Sequence, residues 1–261
     1  MIGLFLGDTD FSEIVLKKVK KIKKNYFIID FSKNNKFKKD KNCYRISIGK
    51  FGKIIKLIKK KRSNKVLFAG KIAKPNFSSL SLDLKGIYYM PSVIKAAKIG
   101  DAAIIKIIIK ILANEGIKVI SSIYFNSELS LKKGNYSKTK PNKQDIFSIK
   151  KGKIYFEKNN NLDHIQALVV KDGKIIATES REGTKKMLSK LKKNSNSILI
   201  KLPKKKQDLR MDLPTIGLQT FKDIKKYGLK GVVLKSKKNI FLDKTKCINY
   251  ANKNKIFIKV I

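Results

Sequence analysis

The sequence predicts an α/β protein whose first half forms a mostly parallel sheet with helices on both faces and whose second half is a mixed α/β domain. In the first half, short apolar runs alternate with amphipathic helical segments, as strands and crossover helices do in a parallel sheet. A polar stretch interrupts this pattern, and the second half follows a different rhythm. With 261 residues, of which 42% are hydrophobic, the chain can fill two cores. We predict domains at 1–133 and 146–261, joined by a linker at 134–145.

The first half contains apolar runs that predict strands, separated by helices. The predicted strands are "IGLFLG" (Ile2–Gly7), "YFIIDF", "KVLFAG" (Lys65–Gly70) and "IKVISSIYF". A helix capped by Asp10 or Ser12 follows the first strand, and "FGKIIKLIKKK" is a second amphipathic helix. We expect Asp101 to cap the helix "AAIIKIIIKILANE", which Gly116 ends.

The second half mixes hairpins with helices. Asp172-Gly173 lies between two apolar runs and predicts a hairpin turn. A short helix begins at Thr184, "SILIKLP" is a strand, and a later helix ends near Gly228. We expect "GVVLKS" and "NIFLD" to pair with each other, and "KIFIKVI" to form the last strand.

The composition is strongly basic, with 62 Lys+Arg against 19 Asp+Glu and a net charge of +43. A basic nucleic-acid-binding protein is therefore one hypothesis. Against it, the only arginines are Arg45, Arg62, Arg181 and Arg210, and the lysines are spread along the whole chain. Forked arginine side chains are favoured for recognition of bases and phosphates. We expect no nucleic acid partner, but attraction to anionic ligands and anionic membrane surfaces.

Cysteine use and hydropathy indicate the compartment. Cys43 and Cys247 lie far apart and form no metal or disulfide motif, which is typical of a reducing compartment. Acidic residues interrupt the first apolar stretch, so no signal peptide is predicted. The run "AAIIKIIIKILA" contains Lys106 and Lys110 and is shorter than the ~20 residues that span a bilayer. These features predict a soluble, cytoplasmic protein.

Two loops follow predicted strands of the first half and are candidates for ligand binding. "AGKIAKP" places Lys71 and Lys74 just after a strand, where open α/β sheets bind ligands and where lysine can pair with phosphate. "GDTD" resembles a nucleotide-binding turn but lacks the full GxGxxG pattern. The absence of that pattern speaks against a third hypothesis, a dinucleotide-dependent oxidoreductase.

Acidic residues carry more information than lysines in this chain. Asp208 and Asp212 flank Arg210 after the strand "SILIKLP", so carboxylates that can hold Mg²⁺ lie beside cations that can hold phosphate. This combination predicts an anhydride-hydrolysis site. Glu179 and Glu182 precede Thr184, which either caps a helix or belongs to a site for metal or water. The single histidine, His164, is interpreted as a surface residue.

Several segments occur in the order found in a known family. "AGKIAKP", "GDAAIIKIIIKILANEGI", "VVKDGKIIATESREGTKKML" and "IKLPKKKQDLRMDLPTIGLQT" together resemble the two-domain, metal-dependent UDP-2,3-diacylglucosamine pyrophosphatases of lipid A biosynthesis. The resemblance extends over nearly the whole chain. It implies a Rossmann-like domain tethered to a second α/β domain, with a lipid-linked nucleotide between them. It also implies Mg²⁺-assisted attack of water, which releases UMP and 2,3-diacylglucosamine 1-phosphate.

The resemblance also implies roles for individual residues. Asp208, Arg210 and Asp212 would be catalytic, and the two aspartates would bind the metal. The substrate-binding positions would be Gly70, Lys71, Gly100, Asp101, Glu182, Gly183, Thr184, Lys201, Gln207 and Thr215. Asp163 and Gln166 match two further family positions, whereas Ala102 and Lys185 stand where relatives commonly have acids. An anionic inner membrane is the implied peripheral partner in the cytoplasm, and a homo-oligomer is left open.

Overall fold

Strands and helices alternate along the chain, as the apolar pattern predicts. The computed structural model describes residues 1–159, 165–180, 182–192, 196–204 and 208–261. The chain divides by its internal packing into two units. Unit 1 comprises Met1–Ser127 with Asp208–Asp212, and unit 2 comprises Glu128–Gln207 with Leu213–Ile261. The change of unit after residue 127 precedes the linker at 134–145, whose boundaries stay a prediction.

Unit 1 is a parallel sheet with helices. Its elements are β1 (Ile2–Leu6), α1 (Asp10–Lys21), β2 (Tyr26–Asp30), β3 (Cys43–Tyr44), α2 (Phe51–Lys60), β4 (Lys65–Ala69), α3 (Leu84–Ile99), α4 (Asp101–Asn114) and β5 (Lys118–Val119). The strand order is β3-β2-β1-β4-β5, and all the neighbouring pairs are parallel. The predicted Rossmann-like parallel sheet is therefore confirmed. The run "IKVISSIYF" contributes only Lys118–Val119 to it, so the predicted strand is too long.

The carboxyl ends of the central strands of unit 1 lie in register. Leu6 is the partner of both Asp30 and Ala69, the last residues of β2 and β4. From β1 the chain first forms β2 and β3 on one side of this strand. It then returns to add β4 and β5 on the other side. This is a topological switch point, beyond which open α/β sheets bind ligands.

The loops after β1 and β4 are hydrogen-bonded to each other at this switch point. The N–H of Gly7 donates to the Ala69 carbonyl at 2.9 Å, and the N–H of Asp8 donates to the Lys71 carbonyl at 2.9 Å. A Cβ on Gly7 would lie 2.2 Å from the Lys71 carbonyl oxygen, so no larger residue fits there. Gly70 has a φ of +84° and equally little space. Gly7 and Gly70, which follow β1 and β4, are therefore required where the two loops approach each other.

The buried carboxylate of Asp30, the last residue of β2, binds the loop that follows this strand. Asp30 accepts hydrogen bonds from the N–H and hydroxyl of Ser32, at 2.8 and 2.6 Å, and from the N–H of Phe37 at 3.2 Å. Arg45 lies 3.5 Å from the same carboxylate. Dinucleotide-binding folds use an acid near this position to bind a ribose hydroxyl. Here the carboxylate is buried and holds its own loop, which adds to the case against a dinucleotide site.

Two carboxylates fasten α3 to its neighbours. Asp83 accepts from the N–H groups of Gly52 at 3.1 Å and Lys53 at 2.9 Å, which begin α2. Glu115, just after α4, accepts from the Tyr89 hydroxyl at 2.8 Å and pairs with Lys85. The start of α3 therefore adjoins the start of α2, and its end leads through Gly100 into α4.

Unit 2 is a mixed α/β fold with helices on both faces of its main sheet. Its elements are β6 (Gly134–Asn135), α5 (Lys143–Lys158), β7 (Ala167–Lys171), β8 (Lys174–Thr178), α6 (Thr184–Ser189), β9 (Ile198–Lys201), β10 (Thr215–Ile216), α7 (Leu218–Lys226), β11 (Gly231–Leu234), β12 (Ile240–Phe241), α8 (Lys244–Lys253) and β13 (Phe257–Val260). The sheet order is β6-β13-β11-β9-β7-β8, with β10 and β12 as a separate pair. The helices α7 and α8 pack in one core, and α5 packs in another.

Several local predictions for unit 2 can be compared with this fold. Asp172 and Gly173 both have positive φ, at 48° and 78°, and form the predicted hairpin turn between β7 and β8. The predicted pairing of "GVVLKS" with "NIFLD" is wrong. The strand β11 is buried between β9 and β13, while β12 pairs with β10. The Asn239 side chain accepts from the Lys235 N–H at 2.8 Å, closing the turn that leads the chain away from the main sheet.

The predicted helix caps need correction. The residue before α1 is Thr9, and no side chain caps it. The Ser12 hydroxyl instead lies 2.9 Å from the Gly7 carbonyl and 2.8 Å from the Ala69 carbonyl. It therefore links the loop after β1 to the end of β4. Gly100 precedes α4, so Asp101 is its first helical residue and not its cap. In the described part of the chain, no helix is both long and apolar enough to cross a membrane.

The close approach of the loops after β1 and β4 makes a prediction for stability. Gly7→Ala should lower the free energy of unfolding by about 3 kcal/mol, because its Cβ meets backbone that cannot move aside. Gly116→Ala is the control in the same unit: its φ of +77° costs about 1 kcal/mol, but its Cβ meets nothing within 4 Å. Chemical unfolding of both variants measures the difference. Equal losses would contradict the close approach at Gly7.

Candidate active site

A short segment from the second half of the sequence completes unit 1. Asp208–Asp212 belongs to the packing of that unit although the rest of unit 1 ends at Ser127. The N–H of Ser122 donates to the Arg210 carbonyl at 3.1 Å, just past the carboxyl end of β5. The Met211 side chain packs against the hydrophobic core of unit 1. The acidic segment is thus held at the edge of the sheet where the loops after β1 and β4 also lie.

The segment is a single helical turn with a fixed carboxylate. The Asp208 carbonyl accepts from the N–H groups of Met211 at 3.2 Å and Asp212 at 3.0 Å. The Asp208 carboxylate accepts three bonds from Arg210: backbone N–H at 3.0 Å, Nε at 2.9 Å and Nη2 at 2.7 Å. Because the guanidinium binds both oxygens, the orientation of the carboxylate plane is determined.

Arg210 also lowers the pKa of Asp208. Its side-chain hydrogen bonds are the largest influence on this carboxyl and hold the pKa of Asp208 below its usual value, against the opposing effect of burial. Lys106, on α4, acts in the same direction. The contact raises the pKa of Arg210 in turn. Asp208 is therefore ionised at neutral pH, which suits binding of a cation or orientation of water better than proton uptake.

Four other predicted residues of unit 1 lie at the same edge. Gly70 and Lys71 follow β4, and Gly100 and Asp101 begin α4, which leads back to the amino end of β5. The Asp101 carboxylate lies 2.6 Å from the Lys74 ammonium, so the loop after β4 is joined to the start of α4. The structure thus gathers the seven predicted residues of unit 1 at the carboxyl edge of one sheet.

In unit 2, a buried glutamate organises a polar cluster. Glu179 follows β8 and accepts from the Gln166 N–H at 3.0 Å and the Thr184 hydroxyl at 2.6 Å. The Thr184 hydroxyl in turn accepts from the Lys201 ammonium at 2.9 Å, at the end of β9. Glu179 is 7% exposed, so its charge is compensated by this network. Thr184 and Lys201, predicted from distant segments, are therefore in direct contact.

The remaining predicted residues of unit 2 are not part of this network. Glu182 is exposed and pairs with Lys190 at 3.1 Å. Gly183, with a φ of +88°, precedes α6, so the capping role proposed for Thr184 is wrong. Thr215 lies on β10, and its hydroxyl donates to the Leu213 carbonyl at 3.1 Å. Gln207, like Arg181, Asp163 and His164, lies outside the described residues.

Comparison with known proteins identifies the family. A family model described as the LpxI N-terminal domain matches residues 1–129, and one described as the LpxI C-terminal domain matches residues 132–259. The chain belongs to the LpxI family. A protein of Caulobacter vibrioides named UDP-2,3-diacylglucosamine pyrophosphatase LpxI is 31% identical over 223 residues, which cover 82% of this chain and 80% of that protein. The resemblance inferred from the sequence motifs is therefore confirmed.

The donor set of this LpxI family member limits how it can hold Mg²⁺. Among the residues that the structure describes, no three acidic, histidine or cysteine side chains cluster as metal ligands. A carboxylate offers roughly four lone-pair positions, and Arg210 occupies three of those on Asp208. Mg²⁺ commonly takes one or two carboxylates and completes its shell with water and phosphate oxygens. Asp208 and Asp212 fit that kind of site but not an all-protein cage.

Some residues of the candidate site could not be found from the sequence. Lys106 is one of many lysines, and only the structure brings it near Asp208. Ser122 is buried and carries the N–H that holds the acidic segment, and its hydroxyl has no partner among the described residues. Lys106 lies within the family segment "GDAAIIKIIIKILANEGI", but nothing in that segment marks it out, and Ser122 lies in no motif. A signal did exist for Glu179, which is an acid directly after a strand in an acid-poor chain.

The contact between Arg210 and Asp208 predicts a change in titration. Arg210→Gln should raise the pKa of Asp208 toward the ordinary aspartate value, because the largest cause of its depression is removed. Titration of the side-chain carboxyl groups by NMR measures this pKa directly. Arg62→Gln removes the same charge from the turn after α2 and should leave the Asp208 titration unchanged. An unshifted titration in Arg210→Gln would contradict the role assigned to this pair.

The cluster around Glu179 predicts a difference between two glutamates. Glu179→Gln should lower the free energy of unfolding by about 1–3 kcal/mol, since it disturbs two buried hydrogen bonds to the carboxylate. Glu182→Gln removes only an exposed ion pair and should change it by less than about 1 kcal/mol. Chemical unfolding compares the two variants. A loss at Glu182 as large as that at Glu179 would refute the assignment.

Proposed function

We propose that this protein hydrolyses the diphosphate bond of UDP-2,3-diacylglucosamine, releasing UMP and 2,3-diacylglucosamine 1-phosphate for lipid A biosynthesis. Membership of the LpxI family and the name of the Caulobacter relative support this substrate. One structural observation carries the proposal: an ionised aspartate, oriented by an arginine, at the switch edge of an open α/β sheet. Water bonds to one phosphorus atom as the bond from that atom to the bridging oxygen breaks.

In the proposed reaction, Asp208 orients the attacking water. Its pKa is lowered, so at neutral pH it is a carboxylate that accepts a hydrogen bond from water and does not donate one. The same lowering makes it a weak base, so transfer of the proton to Asp208 is not the main contribution that we propose for it. Because Arg210 keeps the carboxylate in one orientation, less conformational entropy is lost when the carboxylate positions the water.

Lysine side chains bind the phosphates in this proposal. Lys71, after β4, is exposed at the switch edge, where its ammonium can pair with phosphoryl oxygens. Lys201 and Thr184 form the corresponding polar pair in unit 2, and Glu179 sets their positions. Gly100 and Gly183 have positive φ and no neighbouring atom within 4 Å of the Cβ position, so their backbone can approach a ligand. Gly70, which packs against Ser12, belongs to the proposed substrate-binding set through its place beside Lys71. Asp101, Glu182, Gln207 and Thr215 complete the proposed substrate-binding set.

We propose Mg²⁺ as the cofactor, held by Asp208 and Asp212 together with the substrate. When bound, it would neutralise charge on the phosphoryl oxygens. The substrate combines a nucleotide with two acyl chains, so we also propose that the enzyme works in the cytoplasm against the inner membrane.

Substitution of the oriented aspartate tests the proposed function. Asp208→Ala should lower the rate of UMP release from UDP-2,3-diacylglucosamine by roughly 10²–10⁴-fold, because the positioned carboxylate is lost. Binding of the substrate should persist. Asp223→Ala, on α7, removes an acid that contacts Gln219 and should leave the rate unchanged. Addition of EDTA to the parental protein tests the dependence on metal separately.

The outcomes distinguish the parts of the proposal. Near-parental UMP release by Asp208→Ala would refute the role of Asp208, provided that circular dichroism shows an intact fold. Unchanged release in EDTA would refute the metal but not the reaction. Absence of UMP release from the parental protein would refute the function itself.

A further inference from the structure

The helix α3 presents large apolar side chains to solvent. Leu84 is 87% exposed, Ile87 60%, Tyr88 77% and Ile99 62%. These are four of the eleven large hydrophobic residues that are exposed in the described part of the chain, and they lie within a 16-residue helix. Isolated exposed apolar residues are normal on protein surfaces, but a cluster on one element indicates an interaction site.

The exposed residues of α3 lie on one face of the helix. They follow helical spacing and form what we call the α3 outer face: Leu84, Ile87, Tyr88, Pro91, Ser92, Lys95, Lys98 and Ile99. The opposite face carries Met90, Val93 and Ala96, which are buried. Because the buried face is complete without the outer residues, the packing of unit 1 does not account for the apolar character of the outer face.

The charge of this face favours an anionic bilayer as its partner. The helix contains no acidic residue, and Lys95 and Lys98 are exposed on the same face as the apolar side chains. Lys85, in contrast, is engaged with Glu115. An apolar stripe accompanied by lysines is the composition of helices that lie in the headgroup region of membranes. A second copy of this chain would bring the same lysines and a net charge of +43, so like charges oppose self-association.

The position of α3 connects this face with the candidate site. Asp83, before the helix, binds the N–H groups at the start of α2, and Gly100, after it, begins α4. Both α2 and α4 run from the carboxyl edge of the sheet to its amino edge, because each leads into a parallel strand. Both ends of α3 therefore lie at the carboxyl edge, where Asp208, Lys71 and Asp101 also lie.

We infer that the α3 outer face binds the surface of anionic phospholipid bilayers, with the helix lying in the plane of the interface. The apolar side chains enter the headgroup region, and Lys95 and Lys98 contact lipid phosphates. This docking turns the carboxyl edge of unit 1 toward the lipid. Its consequence for catalysis rests on the proposed function: a substrate anchored by acyl chains reaches the site from the bilayer without crossing water.

Vesicle binding by the full-length protein tests this inference. The probes are vesicles of phosphatidylglycerol mixed with phosphatidylcholine, and vesicles of phosphatidylcholine alone, with co-sedimentation as the measurement. The double variant Leu84→Gln/Ile87→Gln should bind the anionic vesicles at least roughly tenfold more weakly. The matched control is Ile146→Gln/Ile176→Gln, in which exposed apolar residues of unit 2 are replaced, and it should bind as the parent does.

A second pair of variants tests the electrostatic part. Lys95→Gln/Lys98→Gln should weaken binding to anionic vesicles roughly tenfold or more, whereas Lys171→Gln/Lys174→Gln, on the β7–β8 hairpin, should have a smaller effect. Parental binding by both α3 variants would overturn the inference. So would equal binding of the parent to the two kinds of vesicle. Dissociation of a protein dimer by the α3 variants, with vesicle binding unchanged, would assign the face to a second copy instead.

Activity distinguishes this inference from the proposed function. On substrate dispersed in detergent, Leu84→Gln/Ile87→Gln should release UMP at the parental rate, since these residues do not belong to the candidate site. On substrate embedded in anionic vesicles, the same variant should be roughly tenfold slower than the parent. If the parent released no UMP, the proposed function would fail, while vesicle binding would still decide the role of α3. Equal losses on both substrates would refute a docking role.

Discussion

The two hydrogen bonds from the Arg210 guanidinium to the Asp208 carboxylate are the constraint on which the candidate site depends. In a chain with a net charge of +43, lysines far outnumber acids. A lysine would hold it as a point charge without fixing its plane, whereas the planar guanidinium fixes both oxygens. The residues are two positions apart, so the turn itself brings the partners together. Local chemistry thus gives one carboxylate a fixed direction within a surplus of positive charge.

The scarce acids of this protein hold its loops and helices in place. Asp30 closes the loop after β2, Glu115 binds α3 to the end of α4, and Glu179 holds Thr184 in unit 2. Asp145 accepts from the Asn142 N–H in the capping box of α5 and pairs with Lys230 at 2.5 Å. Each of these carboxylates is buried or nearly so, and each binds a group outside its own helix or strand. The distribution of acids therefore says more about this fold than the excess of lysine does.

Features set by neighbouring residues were predictable from the sequence, and features set by distant contacts were not. Apolar runs ending in glycine predicted β1 and β4, and Asp172-Gly173 predicted the hairpin, because those signals are local. The strand β11 lies in the middle of a sheet, and the sequence "GVVLKS" does not show which strands pair with it. The helix α3 was missed because Gly86 and Pro91 interrupt its pattern and apolar residues occupy both of its faces.

The candidate site was predictable in its residue types but not in its assembly. Two aspartates around an arginine suggested phosphate chemistry, and the family motifs supplied Lys201 and Thr215. Composition alone left nucleic acid binding open, and the order of the motifs favoured the LpxI family instead. No local pattern indicates that Arg210 contacts Ser122, since that contact joins residues 88 positions apart, as does the one between Leu209 and Ser121.

The path of the chain has a consequence for biosynthesis. The polypeptide leaves unit 1 after Ser127, builds most of the sheet of unit 2, returns with Asp208–Asp212, and then completes unit 2. On the ribosome, the first 127 residues therefore emerge long before the five that finish their core, and Met211 cannot reach its apolar neighbours until then. Neither unit is an uninterrupted stretch of sequence. A gene cut at the boundary between the two family domains would separate the first unit from its own acidic turn.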